Sequence, residues 1–421
     1  MSPASDPQPG GGPAPAVPSD GRRTRVLWLS TGAFTVFFAV WVMFAIVGIP
    51  LRDELDLSDQ QFALLVAVPI LTGSILRVPV GILADWLGGR NVMVGLLFIT
   101  AVPAFLIAYA DSYGVLLTLA FFLGLAGTSF ASGVAWVSAW YPREMQGLAL
   151  GTFGAGNVGA SITKLAAPAL VTLVGAGGLL GGVIPGGWRF VPFVFAIAMI
   201  LTAFVLLAMS PSGDPRPGRG RSLRDRIAPL AGMRVWRFGL YYVAVFGAYV
   251  GLALWLPKYY VDVYDISLGW AGVLTSLFIF PASLLRPLGG WFSDRFGARK
   301  VTYLVFITLM ASSFALTLTL SVWIFTVLVV AVGVSMGIGK ASVYKYVPEY
   351  FPNDVGAVGG LVGAIGGVGG FVLPLAFAQA EAFAGRPEAM FYVMGLLATV
   401  SLIWLHIVVL RIRAHSKPGE I

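Results

Sequence analysis

Stretches of about 20 apolar residues, the length that carries a helix across a bilayer core, recur along nearly the whole chain. Twelve can be drawn, over residues 26–49, 62–84, 91–110, 114–140, 147–174, 189–209, 238–257, 266–290, 300–320, 323–347, 356–380 and 390–411. In hydrocarbon there is no water to satisfy an exposed backbone, so each stretch must close its own hydrogen bonds as a helix. The chain is therefore read as an all-α membrane protein with twelve transmembrane helices. With 58% hydrophobic and 11% charged residues, 421 residues could not cover a water-soluble globule. The segment before the first stretch is rich in Pro, Gly, Ala and Ser and lacks the basic start of a cleaved signal. It reads as a disordered tail over residues 1–25.

Lys and Arg are retained in short loops on the cytoplasmic side. With both termini inside, the inner segments hold 18 of the 27 basic residues and the outer loops only Arg52, Arg189, Lys258 and Arg386. The expected location is the cytoplasmic (inner) membrane, multi-pass, with both ends cytoplasmic. The net charge of +8 is then topogenic and needs no nucleic-acid partner. Cys is absent, and His406 and His415 are the only histidines. No thiolate or His-based metal site, no cofactor and no catalytic group is expected, and the ligands of a haem or iron–sulfur oxidoreductase subunit are missing.

An Arg-rich segment at 211–237 divides the chain into bundles over 26–210 and 238–411, with a cytoplasmic tail over 412–421. The two bundles are repeats. Ser74, Arg77, Gly81, Asp85, Gly88 and Arg90 match Ser283, Arg286, Gly290, Asp294, Gly297 and Arg299, each pair 209 residues apart, and Gly147, Gly151 and Gly154 match Gly356, Gly360 and Gly363 at the same offset. The repeated Gly-x-x-x-Asp-x-x-Gly-x-Arg resembles the signature of the major facilitator superfamily. That resemblance implies two six-helix bundles rocking about a central site, with Asp85, Arg90, Asp294 and Arg299 as structural elements of the gate.

Charges inside the spans carry the functional signal. Arg77 and Arg286 each lie eight residues before a motif aspartate, about 12 Å into the core at 1.5 Å per residue. An arginine at the bilayer centre costs about 2.5–3.5 kcal/mol and must face the interior. All 19 acidic residues fall in loops, tails or helix ends, so no carboxylate is on hand as a partner. Either the arginines bond backbone carbonyls at broken helices, or the missing negative charge is the substrate. Two planar, permanently charged forks suit a small planar oxyanion. A carrier of small organic carboxylates is the nearest rival, and no soluble domain is long enough to suggest a sensor.

The fifth stretch contains Gly151, Gly154, Gly156, Asn157 and Gly159, and the eleventh Gly360, Gly363, Gly366, Gly367 and Gly370, spacings that strip one helix face and allow close approach. Together with the two arginines this resembles the nitrate/nitrite porter family. The resemblance implies that Arg77 and Arg286 clamp nitrate or nitrite, that Asn157, Gly156, Gly363 and Gly366 line the route, and that Phe130, Tyr242 and Phe246 are pocket aromatics. Lys164 and Lys340 are similar to residues of its proton-coupled branch; lysine, unlike arginine, can release its proton. The expectation is a monomeric nitrate/proton symporter, with nitrate/nitrite exchange as the alternative. Lys345, near a helix end, is expected to snorkel to the interface.

Overall fold

The computed structural model describes residues 20–216, 219–220, 222–318 and 321–415; most of the expected disordered tail and the chain end after 415 lie outside the described residues. Twelve helical rods follow one another. They are α1 (Asp20–Trp41, continued by Phe44–Glu54), α2 (Asp59–Ile75 and Arg77–Leu87), α3 (Gly89–Ile107), α4 (Tyr113–Trp140), α5 (Gln146–Gly154 and Gly159–Leu173) and α6 (Phe190–Met209), then α7 (Met233–Tyr264), α8 (Leu268–Leu284 and Arg286–Phe296), α9 (Ala298–Ala315), α10 (Val322–Tyr350), α11 (Val355–Ala384) and α12 (Ala389–His415). Among the described residues, eight of these are long and apolar enough to span singly, and joining the halves of α2 and α8 makes ten. The others fall short for visible reasons: α5 is broken by a 3-10 turn at Ala155–Val158, and α9 starts on Arg299 and Lys300.

Helix begins earlier and ends later than composition suggested. Residues 20–25, assigned to the tail, form the first turns of α1, where Asp20 sits at the positive end of the dipole and Arg22 donates to the Ser212 carbonyl of the linker. Likewise α7 takes in residues 233–237 and α12 runs to His415. An even number of rods puts both ends and the central linker on one face, called here the linker face.

The two bundles meet there backbone to backbone. A Cβ at Gly81 would lie 2.0 Å from the Gly356 carbonyl oxygen, and one at Gly290 would lie 2.0 Å from that of Gly147, so α2 packs on α11, and α8 on α5, at a distance only glycine permits. Each contact is latched by a motif carboxylate. Asp85 accepts from the amides of Gly356 and Ala357 (both 2.9 Å) at the start of α11; Asp294 accepts from those of Gly147 (2.9 Å) and Leu148 (2.7 Å) in the first turn of α5. Anions at helix N-termini are stabilised by unpaired N–H groups and by the dipole. The motif arginines stay within their own halves: Arg90 donates to the Leu207 carbonyl (3.0 Å) and Arg299 to the Tyr350 hydroxyl (3.4 Å).

Lys345 does not snorkel. It is 7% exposed, pairs with Asp294 at 2.7 Å and donates to the Arg143 carbonyl, because the half-buried Asp294 carboxylate lies within its reach. The second latch thus carries an ion pair beside its amide bonds. In this cysteine-free chain a single Ala357→Cys reporter, buried here, reads the opening. Labelling by a thiol reagent from the linker face should rise about threefold or more in Asp85→Asn, a cost of about 0.7 kcal/mol or more to the closed form. Unchanged labelling in that variant would remove the carboxylate from the latch.

Candidate functional site

Arg77 and Arg286 sit where α2 and α8 each bend by 42°. Proline follows both arginines closely, at Pro79 and Pro287, and removes the N–H that would have continued the ladder. The bends aim the two side chains into the centre, where they are 2% and 1% exposed. Arg77 donates from Nε to the Gly127 carbonyl (3.0 Å) and from Nη1 to the Gly363 carbonyl (2.7 Å), and its guanidinium lies 5.2 Å from the Trp41 ring and 5.8 Å from the Phe130 ring. Arg286 donates from Nη1 to the Gly154 carbonyl (3.2 Å) and lies 5.5 Å from that same Phe130 ring. Its Nε is buried with no partner.

Both guanidiniums thus flank one aromatic ring. The charged or titratable groups that act on Arg77 are Tyr344, Tyr242 and Arg286, and no carboxylate is among them. A hydrogen bond to a charged group contributes about 1.5–3 kcal/mol, and a cation–π contact about 0.5–2 kcal/mol. Arg77 has two main-chain bonds and two rings, whereas Arg286 has one main-chain bond, one ring and a stranded Nε–H. The site is short of acceptors on that side.

Local irregularity supplies the acceptors that are present. Gly127 lies in a 3-10 segment of α4 (Gly124–Thr128), and Gly154 directly precedes the 3-10 turn of α5. Absent side chains make the room: a Cβ at Gly154 would lie 2.4 Å from Arg286 Cζ, and one at Gly363 would lie 2.7 Å from the Tyr344 hydroxyl. These two glycines are repeat partners, as are the arginines they face.

The other expected residues divide into groups. Asn157 is 4% exposed in the α5 3-10 turn, and its Nδ2 is buried without a partner. Tyr242 and Phe246 stack at 5.0 Å along a π-helical turn of α7 (Val243–Gly247), the kind of bulge that re-aims side chains. Tyr242 faces both arginines. Gly156 backs onto Phe34, and Gly366 onto the Tyr242 ring. The two lysines part company. Lys164 lines, with Trp41, Phe246 and Tyr249, a cavity of about 190 Å³ on the far side of the arginine layer from the linker face. Lys340 is wholly buried, donating to the Ala282 carbonyl (3.0 Å), with its Nζ 3.1 Å from the Tyr249 ring centroid. Asp85, Arg90, Asp294 and Arg299 lie away from this centre, at the linker face.

Three side chains were not singled out from the sequence. Trp41 covers Arg77 and donates to the Pro69 carbonyl at 2.7 Å. Tyr344 meets Phe130 and Tyr242 edge-on (4.9 and 4.6 Å) and donates to the Gly359 carbonyl. Tyr249 lies under Lys340 and bonds Ser283. Aromatics make up 13% of the chain, so none stood out; only Tyr344, one turn from Lys340, carried a positional hint.

Two bundles closed on one face, a cavity on the other and a cationic centre between them define a membrane transporter. The chain belongs to the major facilitator superfamily, whose family model matches residues 29–274 and 265–420, and within it to the nitrate/nitrite porters. It is 54% identical over 409 residues to a protein of Thermus thermophilus described as a probable nitrate/nitrite antiporter, NarK1, covering 93% of this chain and 92% of that one. It is 31% identical over 374 residues to a nitrite extrusion protein of Bacillus subtilis (88% and 91% covered). In fold it is similar to the fucose:proton symporter FucP of E. coli, with a TM-score of 0.74 at 16% identity over 92% of this chain and 99% of that one.

Crowding at the glycines sets a prediction. A Cβ at Gly366 would already fall 2.4 Å from Tyr242 Cδ1, and one at Gly156 2.7 Å from Phe34 Cδ1. Gly366→Leu and Gly156→Leu should each abolish transport while the protein still reaches the membrane in normal amount. Wild-type transport by both would mean that these helices do not line the route.

Proposed function

We propose that this protein carries nitrate and nitrite across the cytoplasmic membrane, acting as a monomer, with Arg77 and Arg286 closing on the anion from opposite bundles. The observation that carries the reading is the stranded Nε–H of Arg286 beside a second buried guanidinium, with Phe130 between them. A small anion supplies the missing acceptors and charge to both forks at once. Tyr242 and the buried Asn157 amide offer further donors around it. The relatives described as a nitrate/nitrite antiporter and a nitrite extrusion protein support the same substrate class. The linker face is the cytoplasmic one on the distribution of Lys and Arg, so the structure corresponds to a form closed toward the cytoplasm.

Lysine in place of either arginine keeps the charge but loses the planar fork, so nitrate uptake in Arg77→Lys or Arg286→Lys should fall about tenfold or more. Uptake near the wild-type rate in Arg286→Lys, at equal protein in the membrane, would sink the paired clamp. Competition by formate and oxalate in the same assay tests the organic-carboxylate reading.

Coupling to protons is the mode favoured by Lys340. It is the lysine that acts on Arg286, one turn after Ala282 in α8, whereas Lys164 stands apart in the outer cavity. An anion entering a negative interior moves uphill by about 2.3 kcal/mol per 100 mV, so accumulation needs more than one proton or a departing anion. Exchange is the second reading, and the Thermus relative is described in those terms. In nitrite-free proteoliposomes an acidic exterior should drive nitrate entry in the wild type, and Lys340→Ala should uncouple it. Transport that requires internal nitrite and ignores the pH gradient would make the protein an exchanger.

A further inference from the structure

Away from the central site, a polar cavity of about 420 Å³ opens at the linker face, lined by Arg90, Asn91, Gly213, Asp214, Arg216 and Arg219. Arg90 opens α3, and its guanidinium reaches the Leu207 carbonyl near the end of α6, so the cavity lies across the seam between these two helices. Leu87, Leu207 and Met209 beside it are 40–52% exposed and belong to surfaces that face lipid. The pocket therefore sits at the edge of the bilayer, at headgroup depth.

Its charge is one-sided. Asp214, the one acid of the lining, is already spent on the protein: Oδ1 accepts from Trp140 Nε1 (2.9 Å) and Oδ2 from the Arg90 amide (3.4 Å). Asp214 Oδ2 and Arg216 also pack over Gly88, whose φ of 92° and lack of Cβ let the linker settle on the loop between α2 and α3. The Arg216 and Arg219 guanidiniums make no hydrogen bond or ion pair with any described residue, yet both turn into the same cavity as Arg90. Three guanidiniums around a polar hollow, with apolar side chains on the bilayer side, suit a phosphodiester whose acyl chains run down the α3–α6 seam.

We propose that this pocket binds the headgroup phosphate of an anionic phospholipid from the leaflet on the linker side, and that the bound lipid holds the linker against the α2–α3 loop. The ligand is a lipid rather than a free anion because Arg90 reaches the carbonyl of Leu207, whose exposed side chain belongs to the lipid-facing side of α6.

Native mass spectrometry of the full chain in mixed micelles of phosphatidylglycerol and phosphatidylcholine provides the test. Wild-type protein should retain phosphatidylglycerol over phosphatidylcholine. The double variant Arg216→Gln, Arg219→Gln should lose that occupancy about fivefold or more, equivalent to about 1 kcal/mol. Both residues are exposed, so the variant should fold, and normal nitrate uptake confirms that it has. Arg224→Gln with Arg295→Gln, which removes the same charge from the same face outside the pocket, should leave occupancy unchanged. Equal loss in both double variants would reduce the effect to general surface charge and overturn the proposal. Displacement of the lipid by millimolar inorganic phosphate would overturn it also, in favour of a soluble anion site.

Discussion

Two guanidiniums buried in a membrane protein with no carboxylate beside them impose the terms on which the rest of the structure is built. Neither charge can be removed by deprotonation, so every compensating contact must come from neutral groups. The chain supplies them by spoiling its own helices: α2 and α8 bend, α4 and α5 tighten into 3-10 turns, and the carbonyls of Gly127 and Gly154 become acceptors. Phe130, shared by both cations, contributes its ring quadrupole from the middle. The compensation stops short at Arg286, and that shortfall is where an anion gains most.

The same hydrogen bonds make the proposed substrate site part of the interface between the bundles. Arg77 rises from the first bundle and bonds Gly363 in the second; Arg286 rises from the second and bonds Gly154 in the first. An anion drawing on these forks competes with bonds that cross the divide. Binding and the closure of the linker face are therefore linked, since a ligand shifts a conformational equilibrium only through its different affinity for the two forms. The latches at Asp85 and Asp294 lie two turns further along the same half-helices as the arginines, so movement at one is transmitted through a rigid segment to the other.

The repeat was legible because it is written in residues whose chemistry has few substitutes. Glycines that admit a backbone, aspartates that cap a helix and arginines in lipid recur at one offset, and each pair takes up matching contacts across the interface. The positions of Arg77 and Arg286 could be read from their distance to the motif aspartates alone. Main-chain carbonyls at broken helices were one of the two readings for their partners, but which carbonyls could not be read: Gly127 and Gly154 lie at 3-10 turns that no side-chain pattern marks, and Gly363 lies within the continuous α11. Trp41, Tyr344 and Tyr249 were hidden for another reason: packing aromatics and pocket aromatics have the same composition. Lys345 was misjudged because helix position suggested proximity to water, whereas an aspartate of its own bundle, Asp294 on α8, was within reach.

The contacts behind the two bends are not repeat equivalents: the neutral Trp41 indole holds the carbonyl of Pro69, eight residues before Arg77, and Lys340 holds the carbonyl of Ala282, four residues before Arg286. Both latches rest on main-chain amides, and at Asp294 Lys345 forms an ion pair. A symmetric pair of bundles would treat its two arginines alike. Of the intramembrane lysines, Lys340 in the second half acts on Arg286, whereas Lys164 in the first half stands apart in the outer cavity. On the proposed reading both halves recognise the anion, and the coupling group is Lys340, beside Arg286.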